Sequence, residues 1–76
     1  MITQEAYKKL MYDIRLRMAG NRTLLDSPEL RDDAIDQLRF LIVLLTDIGT
    51  KESLDSAQYI KGLIQKALNG TIQIGD

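Results

Sequence analysis

Residues 28–48 read PELRDDAIDQLRFLIVLLTDI, and this stretch predicts one long α-helix at the centre of an all-α protein. Asp26 or Ser27 can act as its N-cap, and Pro28 suits the first helical position because its missing N–H is not needed there. Gly49 suits the left-handed residue that follows a helix. Apolar residues recur at spacings of four or three, which predicts one buried face. These residues are Leu30, Ala34, Leu38, Leu41, Leu45 and Ile48, with Ile35 and Ile42 on one flank.

Two further helices are predicted, one on each side of the long helix. The first covers about residues 4–19, with Thr3 as its N-cap, and the third covers about residues 51–68, with Thr50 as its N-cap. Each is expected to end at a glycine-containing dipeptide, since glycine readily adopts the left-handed conformation. These dipeptides are Gly20-Asn21 and Asn69-Gly70. The apolar stripe predicted for the third helix consists of Leu54, Ala57, Ile60, Leu63, Ile64, Ala67 and Leu68.

The C-terminal tail, residues 71–76, alternates polar and apolar residues. It can fray, fold back on the core or add to a partner, and fraying is the expectation for an untethered terminus. We therefore predict a single domain over residues 1–76 with three helices, a short N-terminal helix followed by a long helical hairpin. We expect this domain to pack into a larger helical bundle as a homo-oligomer, since small domains without other staples often self-associate.

The composition argues against several classes of protein. There is no cysteine and no histidine among the 76 residues, so disulfides, common zinc sites and the usual nucleophilic triads are not expected. Ten basic and eleven acidic residues give a net charge of −1, which argues against a chain built mainly to grip nucleic-acid phosphates. No signal peptide is visible, and the longest apolar run, residues 40–45, is too short for a membrane span. We expect a cytoplasmic protein without enzymatic activity, cofactor, metal or membrane association.

The rear face of the long helix changes from acidic to apolar halfway along. Either the other two helices cover both faces, or the apolar half is an interaction patch. We favour the interface, because a small chain gains a larger shared core by self-association, and two-fold pairing of these helices is the simplest closed arrangement. The acidic residues are Asp32, Asp33 and Asp36, and the apolar residues are Phe40, Val43 and Leu44.

Charged side chains form a second candidate contact surface. The first helix and the loop after it are the most basic stretch, and their cations could pair with the acidic stripe within the chain or across a dimer. Together with Glu29 the aspartates could also hold a hard cation, but acids are favoured at a helix N-terminus, so a solvated face is expected. The basic residues are Lys8, Arg15, Arg17 and Arg22.

These patterns predict a small protein-binding regulator, adaptor or inhibitor that binds itself and another protein through helical surfaces. One alternative is a DNA-binding transcriptional regulator, with the second and third helices as a helix-turn-helix-like pair. Another is a ligand-sequestering protein whose site forms between protomers. Against DNA, the third helix carries no arginine, the favoured base reader. Its polar residues are Lys51, Gln58, Tyr59, Lys61, Gln65 and Lys66.

Overall fold

A computed structural model describes the backbone of residues 3–73 and the side chains of residues 3–69. Three helices make up this part of the chain, α1 (Gln4–Leu24), α2 (Arg31–Ile48) and α3 (Lys51–Gln73), and no strand occurs within it. The Cα atoms extend over 47 × 19 × 14 Å, as expected for helices that lie side by side. The predicted all-α class with three helices is confirmed.

The N-terminus of α1 forms as predicted, but its C-terminus does not. The Thr3 hydroxyl accepts a hydrogen bond from the backbone N–H of Ala6 at 3.1 Å. The predicted end at Gly20-Asn21 is wrong, because the helix continues to Leu24 and, at 21 residues, is longer than α2 rather than short. A glycine in a helix costs only about 1 kcal/mol relative to alanine. Gly20 therefore does not have to end it.

Side chains near Gly20 support the extra turn of α1. The Asn21 amide donates to the backbone carbonyl of Arg17 at 2.8 Å, and the Thr23 hydroxyl donates to the carbonyl of Gly20 at 2.7 Å. Both residues thus bond backward into the helix instead of capping it. The continued helix also carries the chain to Leu25, which packs against the core.

The start of α2 lies at Arg31, three residues after the predicted position at Pro28. Neither Asp26 nor Ser27 caps it, because Pro28 to Leu30 form a turn in which the N–H of Leu30 donates to the carbonyl of Ser27 at 3.1 Å. Leu30 itself is the N-cap, and no side chain bonds the first turn. This position leaves Leu30 exposed, so its assignment to the core stripe is also wrong.

The hairpin between α2 and α3 forms as predicted. Gly49 ends α2 with a left-handed φ of 74°. The Thr50 hydroxyl accepts from the N–H of Ser53 at 3.1 Å, and the Ser53 hydroxyl donates to the Thr50 carbonyl at 2.9 Å.

The predicted end of α3 at Asn69-Gly70 is wrong, because the helix runs to Gln73 and includes the first three residues of the predicted tail. Residues 74–76 of that tail lie outside the described residues.

The core lies between α2 and its two neighbours. Four residues of the predicted α2 stripe are buried, together with Ile35, whereas Leu54 and Leu68 of the predicted α3 stripe are exposed. Ser53 is buried in place of Leu54, and it can be because its hydroxyl bonds to the backbone of Thr50. The buried apolar residues are Met11, Ile14, Ala34, Ile35, Leu38, Leu41, Leu45, Ala57, Ile60 and Ile64.

Candidate interaction surfaces

The outer face of α2 carries two large apolar side chains that the other helices leave uncovered. Phe40 is 57% exposed and Val43 is 56% exposed. The intramolecular alternative, in which α1 and α3 cover both faces of α2, therefore does not hold for these two residues. They form an adjacent pair on the surface, because residues three apart in a helix are neighbours.

Leu44 is less exposed than Phe40 and Val43 and lies at the border of their surface, beside Asp47. It is half-buried and packs against the core, at a groove of about 350 Å³ between α1 and α2. Thus only two of the three predicted patch residues share the exposed face. The groove is lined by Tyr7, Leu10, Leu44, Asp47, Ile48 and Thr50.

Acidic side chains surround Phe40 and Val43. At about 100° per residue, Asp33, Asp36 and Asp47 lie within about 40° of Phe40 around the helix axis. The face thus has an apolar centre with acids toward both ends, and Asp32 extends it at the N-terminal end. All four aspartates are exposed, and within residues 3–69 no ion pair involves any of them. We call this surface, residues 32–47 on the outer side of α2, the acidic face.

The basic residues of α1 do not meet these aspartates. Arg15 pairs with Glu52 at the start of α3, and Arg17 pairs with Asp13 one turn earlier, with 3.3 Å between Nε and Oδ2. Lys8 and Arg22 form no ion pair with any side chain of residues 3–69. The pairing that the sequence suggested between basic and acidic stripes is therefore not formed within the chain.

The first turn of α3 is tied to α1 by a small polar network. The Tyr7 hydroxyl lies 2.8 Å from the Thr50 hydroxyl and donates to Glu52 Oε1 at 2.9 Å. Arg15 bonds to the other carboxylate oxygen of Glu52. These contacts hold α1 across the hairpin turn and use Arg15 for that purpose.

The outer side of α1 carries a second exposed apolar pair, which sequence reasoning missed. Tyr12 is 63% exposed and Leu16 is 54% exposed. The sequence did contain a signal for this pair. Tyr12 and Leu16 are four residues apart, so they are neighbours on the helix, and they lie away from the side that carries Met11 and Ile14. Lys8 and Lys9 lie one turn before Tyr12 and are both exposed. We call this surface, residues 8–16 on the outer side of α1, the basic face.

α2 and α3 also enclose an open groove of about 380 Å³. Arg39 and Ile42 lie seven residues or more before the turn at Gly49. They line this groove together with residues of α3 between Lys61 and Asn69, which lie well after the turn. The two helices therefore run side by side over most of their length. This is an antiparallel hairpin, whereas the helices of a helix-turn-helix cross at about 90–120°.

Neither a metal-binding cluster nor a helix able to span a membrane occurs in the described chain. Its acidic residues form no group of three or more that could hold a metal ion, and this includes Glu29 and its neighbours on α2. None of its helices combines the length and the apolar character that a bilayer crossing needs. Comparison with protein-family models, with curated proteins and with solved structures finds no match.

Proposed function

We propose that this chain is a small non-enzymatic protein-binding module, a regulator, adaptor or inhibitor, that associates with itself and with another protein through its helical surfaces. The observation that carries the proposal is the exposure of Phe40 and Val43 at the centre of the outer face of α2. Aromatic side chains that project from a surface are typical anchors of protein interfaces.

The sequence favours a binding role over catalysis for a second reason. The chain has neither histidine nor cysteine, the side chains that most often carry proton transfer and nucleophilic attack near neutral pH. The grooves beside α2 are shallow features between helices, and their linings are mostly apolar or basic. Such surfaces suit another helix better than a reacting substrate.

Self-association would add to the stability of so small a domain. A chain of this length buries only about 60% of the surface of its unfolded form. A homodimer or higher oligomer buries more apolar surface per chain, and its formation stabilises the folded state by mass action. The pairs on α1 and α2 are two of the exposed apolar surfaces available for this, and they contain the four most exposed large apolar side chains of the described residues.

Sedimentation equilibrium of the wild type and of Phe40→Asp tests the proposal. We expect the wild type to associate at high micromolar concentration and Phe40→Asp to be monomeric, because the substitution adds a charge at the centre of the contact. Tyr59→Asp is the matched control, since Tyr59 is a similarly exposed aromatic residue on α3. A wild type that remains monomeric at high micromolar concentration would contradict self-association.

A further inference from the structure

We infer that a second copy of this chain docks head to tail, with the basic face of α1 on one copy against the acidic face of α2 on the next. The inference rests on the proposed function and specifies which surfaces meet. The two exposed apolar pairs lie on helices of opposite net charge. α1 has five basic and two acidic residues, a net charge of +3, and α2 has four acidic and two basic residues, a net charge of −2.

Pairing of two acidic faces is opposed by their charges. Four aspartates and only Arg39 surround Phe40 and Val43, which gives this face a net charge of −3 per copy. A two-fold axis through the face would place two such charges together, and like charges across an interface are costly. The two-fold pairing of α2 helices that the sequence suggested is therefore not the arrangement that these charges favour.

The basic face of α1 matches the acidic face of α2 in apolar content. Each has one exposed aromatic and one exposed aliphatic side chain, Tyr12 with Leu16 and Phe40 with Val43. The side of α1 beyond Leu16 carries Ala19 and Gly20, which are small enough for a helix to approach closely.

An antiparallel register aligns the charges with the apolar contacts. With Tyr12 opposite Val43, Leu16 falls opposite Phe40. Lys8 precedes Tyr12 by four residues and Asp47 follows Val43 by four, so each lies about 6 Å along its helix from that contact. Lys8, with Lys9 beside it, then faces Asp47 of the neighbouring copy. These lysines make no ion pair within residues 3–69, and neither does Asp47.

This contact is heterologous, so one copy of a docked pair retains a free acidic face and the other retains a free basic face. Association then continues until a ring closes, or it gives a series of growing oligomers. The ionic part of the contact also predicts a sign for the salt dependence. Salt screens the attraction between the two faces and weakens association, whereas it would strengthen an association opposed by like charges.

Complementation between two monomeric variants is the decisive experiment. Phe40→Asp loses the acidic-face contact and keeps the basic face, and Leu16→Asp does the reverse. We expect either variant alone to associate more than about tenfold more weakly than the wild type, since each loses a central anchor. An equimolar mixture should form a 1:1 heterodimer and nothing larger, because only one intact contact remains.

Sedimentation velocity follows the wild type, Phe40→Asp, Leu16→Asp and the equimolar mixture of the two variants. Circular dichroism establishes that each variant is folded. Tyr59→Asp is the control. Should an aspartate variant unfold, Phe40→Ala and Leu16→Ala replace the pair. Reversal of both lysines, Lys8→Glu with Lys9→Glu, should weaken association by about 2- to 5-fold per ion pair at low salt. Asp47→Lys on the other copy should restore it.

The outcomes separate this inference from the proposed function. If Phe40→Asp is monomeric while Leu16→Asp still associates, the chain self-associates through α2 alone and the head-to-tail contact is wrong. A mixture of the two variants that stays monomeric, or wild-type association that strengthens with salt, overturns it as well. A monomeric wild type at high micromolar concentration overturns both.

Discussion

Replacement of Gly20 by alanine should raise the free energy of unfolding by about 0.8–1.0 kcal/mol, the difference in helix propensity between the two residues. Gly20 lies inside α1, and a Cβ atom built on it meets nothing within 4 Å. The gain therefore needs no adjustment of neighbouring side chains. Had α1 ended at Ala19 with Gly20 in a left-handed conformation, the same change would cost about 1–2 kcal/mol. The sign of the effect thus tests where the helix ends.

Gly49→Ala is the matched control for Gly20→Ala. Gly49 has a φ of +74°, and the nearest atoms to a Cβ built on it are the backbone oxygens of Thr46 and Asp47, at 3.7 and 3.9 Å. The space is sufficient, so the loss of about 1–2 kcal/mol comes from the backbone conformation alone. The two substitutions are chemically identical and should move stability in opposite directions.

Urea unfolding followed by circular dichroism at 222 nm measures both variants. The slope of free energy against denaturant should stay unchanged while the midpoint moves. A thermal midpoint should shift by about 4–8 °C per kcal/mol in a domain of this size. A Gly20→Ala variant that is destabilised, or that changes the slope, would refute the continuous α1 helix.

Two further changes test the core and the hairpin. Leu38 is fully buried at the centre of α2, so Leu38→Ala should lower the free energy of unfolding by about 2–5 kcal/mol, measured by the same urea titration. The total is about 4–11 kcal/mol for a chain of this length, so a loss below 1 kcal/mol would contradict the burial of Leu38. Thr50→Ala removes the side-chain cap of α3 together with the hydroxyl contact to Tyr7 and should cost at least about 1 kcal/mol, with Thr46→Ala on α2 as the control. Equal effects of the two threonine changes would argue against the cap.

The features that were predicted correctly from the sequence are those that have a short-range physical cause. Thr3 and Thr50 cap helices because their hydroxyls reach N–H groups three residues on. Gly49 ends α2 because a left-handed residue is needed there. Periodicity alone identified the α2 stripe from Ala34 to Leu45, because burial of apolar surface is the dominant favourable contribution to the free energy of folding.

The errors arose where local preference and tertiary packing disagree. Gly20 suggested a helix end, yet continuation of α1 places Leu25 against the core, which outweighs the propensity of one glycine. Pro28 can begin a helix but here lies in the turn before it. Leu54 and Ser53 are adjacent, and the rotation of α3 that packs Ile60 and Ile64 buries the serine instead.

The exposed surface around Phe40 and Val43 could be predicted only in part from the sequence. Hydropathy showed that Phe40 and Val43 lie away from the α2 stripe, which is a property of helix geometry alone. The separation of Leu44 from them depends on how closely α1 approaches α2, as in the groove with Tyr7 and Leu10. Tyr12 and Leu16 were missed because their exposure depends on the direction in which α1 faces the core.

The interior of this protein contains no aromatic ring. All four aromatic residues belong to the described part of the chain, where Tyr7 is half-buried and the other three are exposed. Only the ring of Tyr7 packs against the core, so methyl groups buried away from it experience little ring current and their NMR signals should be poorly dispersed. The rings of Tyr12 and Phe40 stand instead on the two surfaces proposed to meet. Ultraviolet absorbance and aromatic proton shifts should report association, while folding is followed through the backbone.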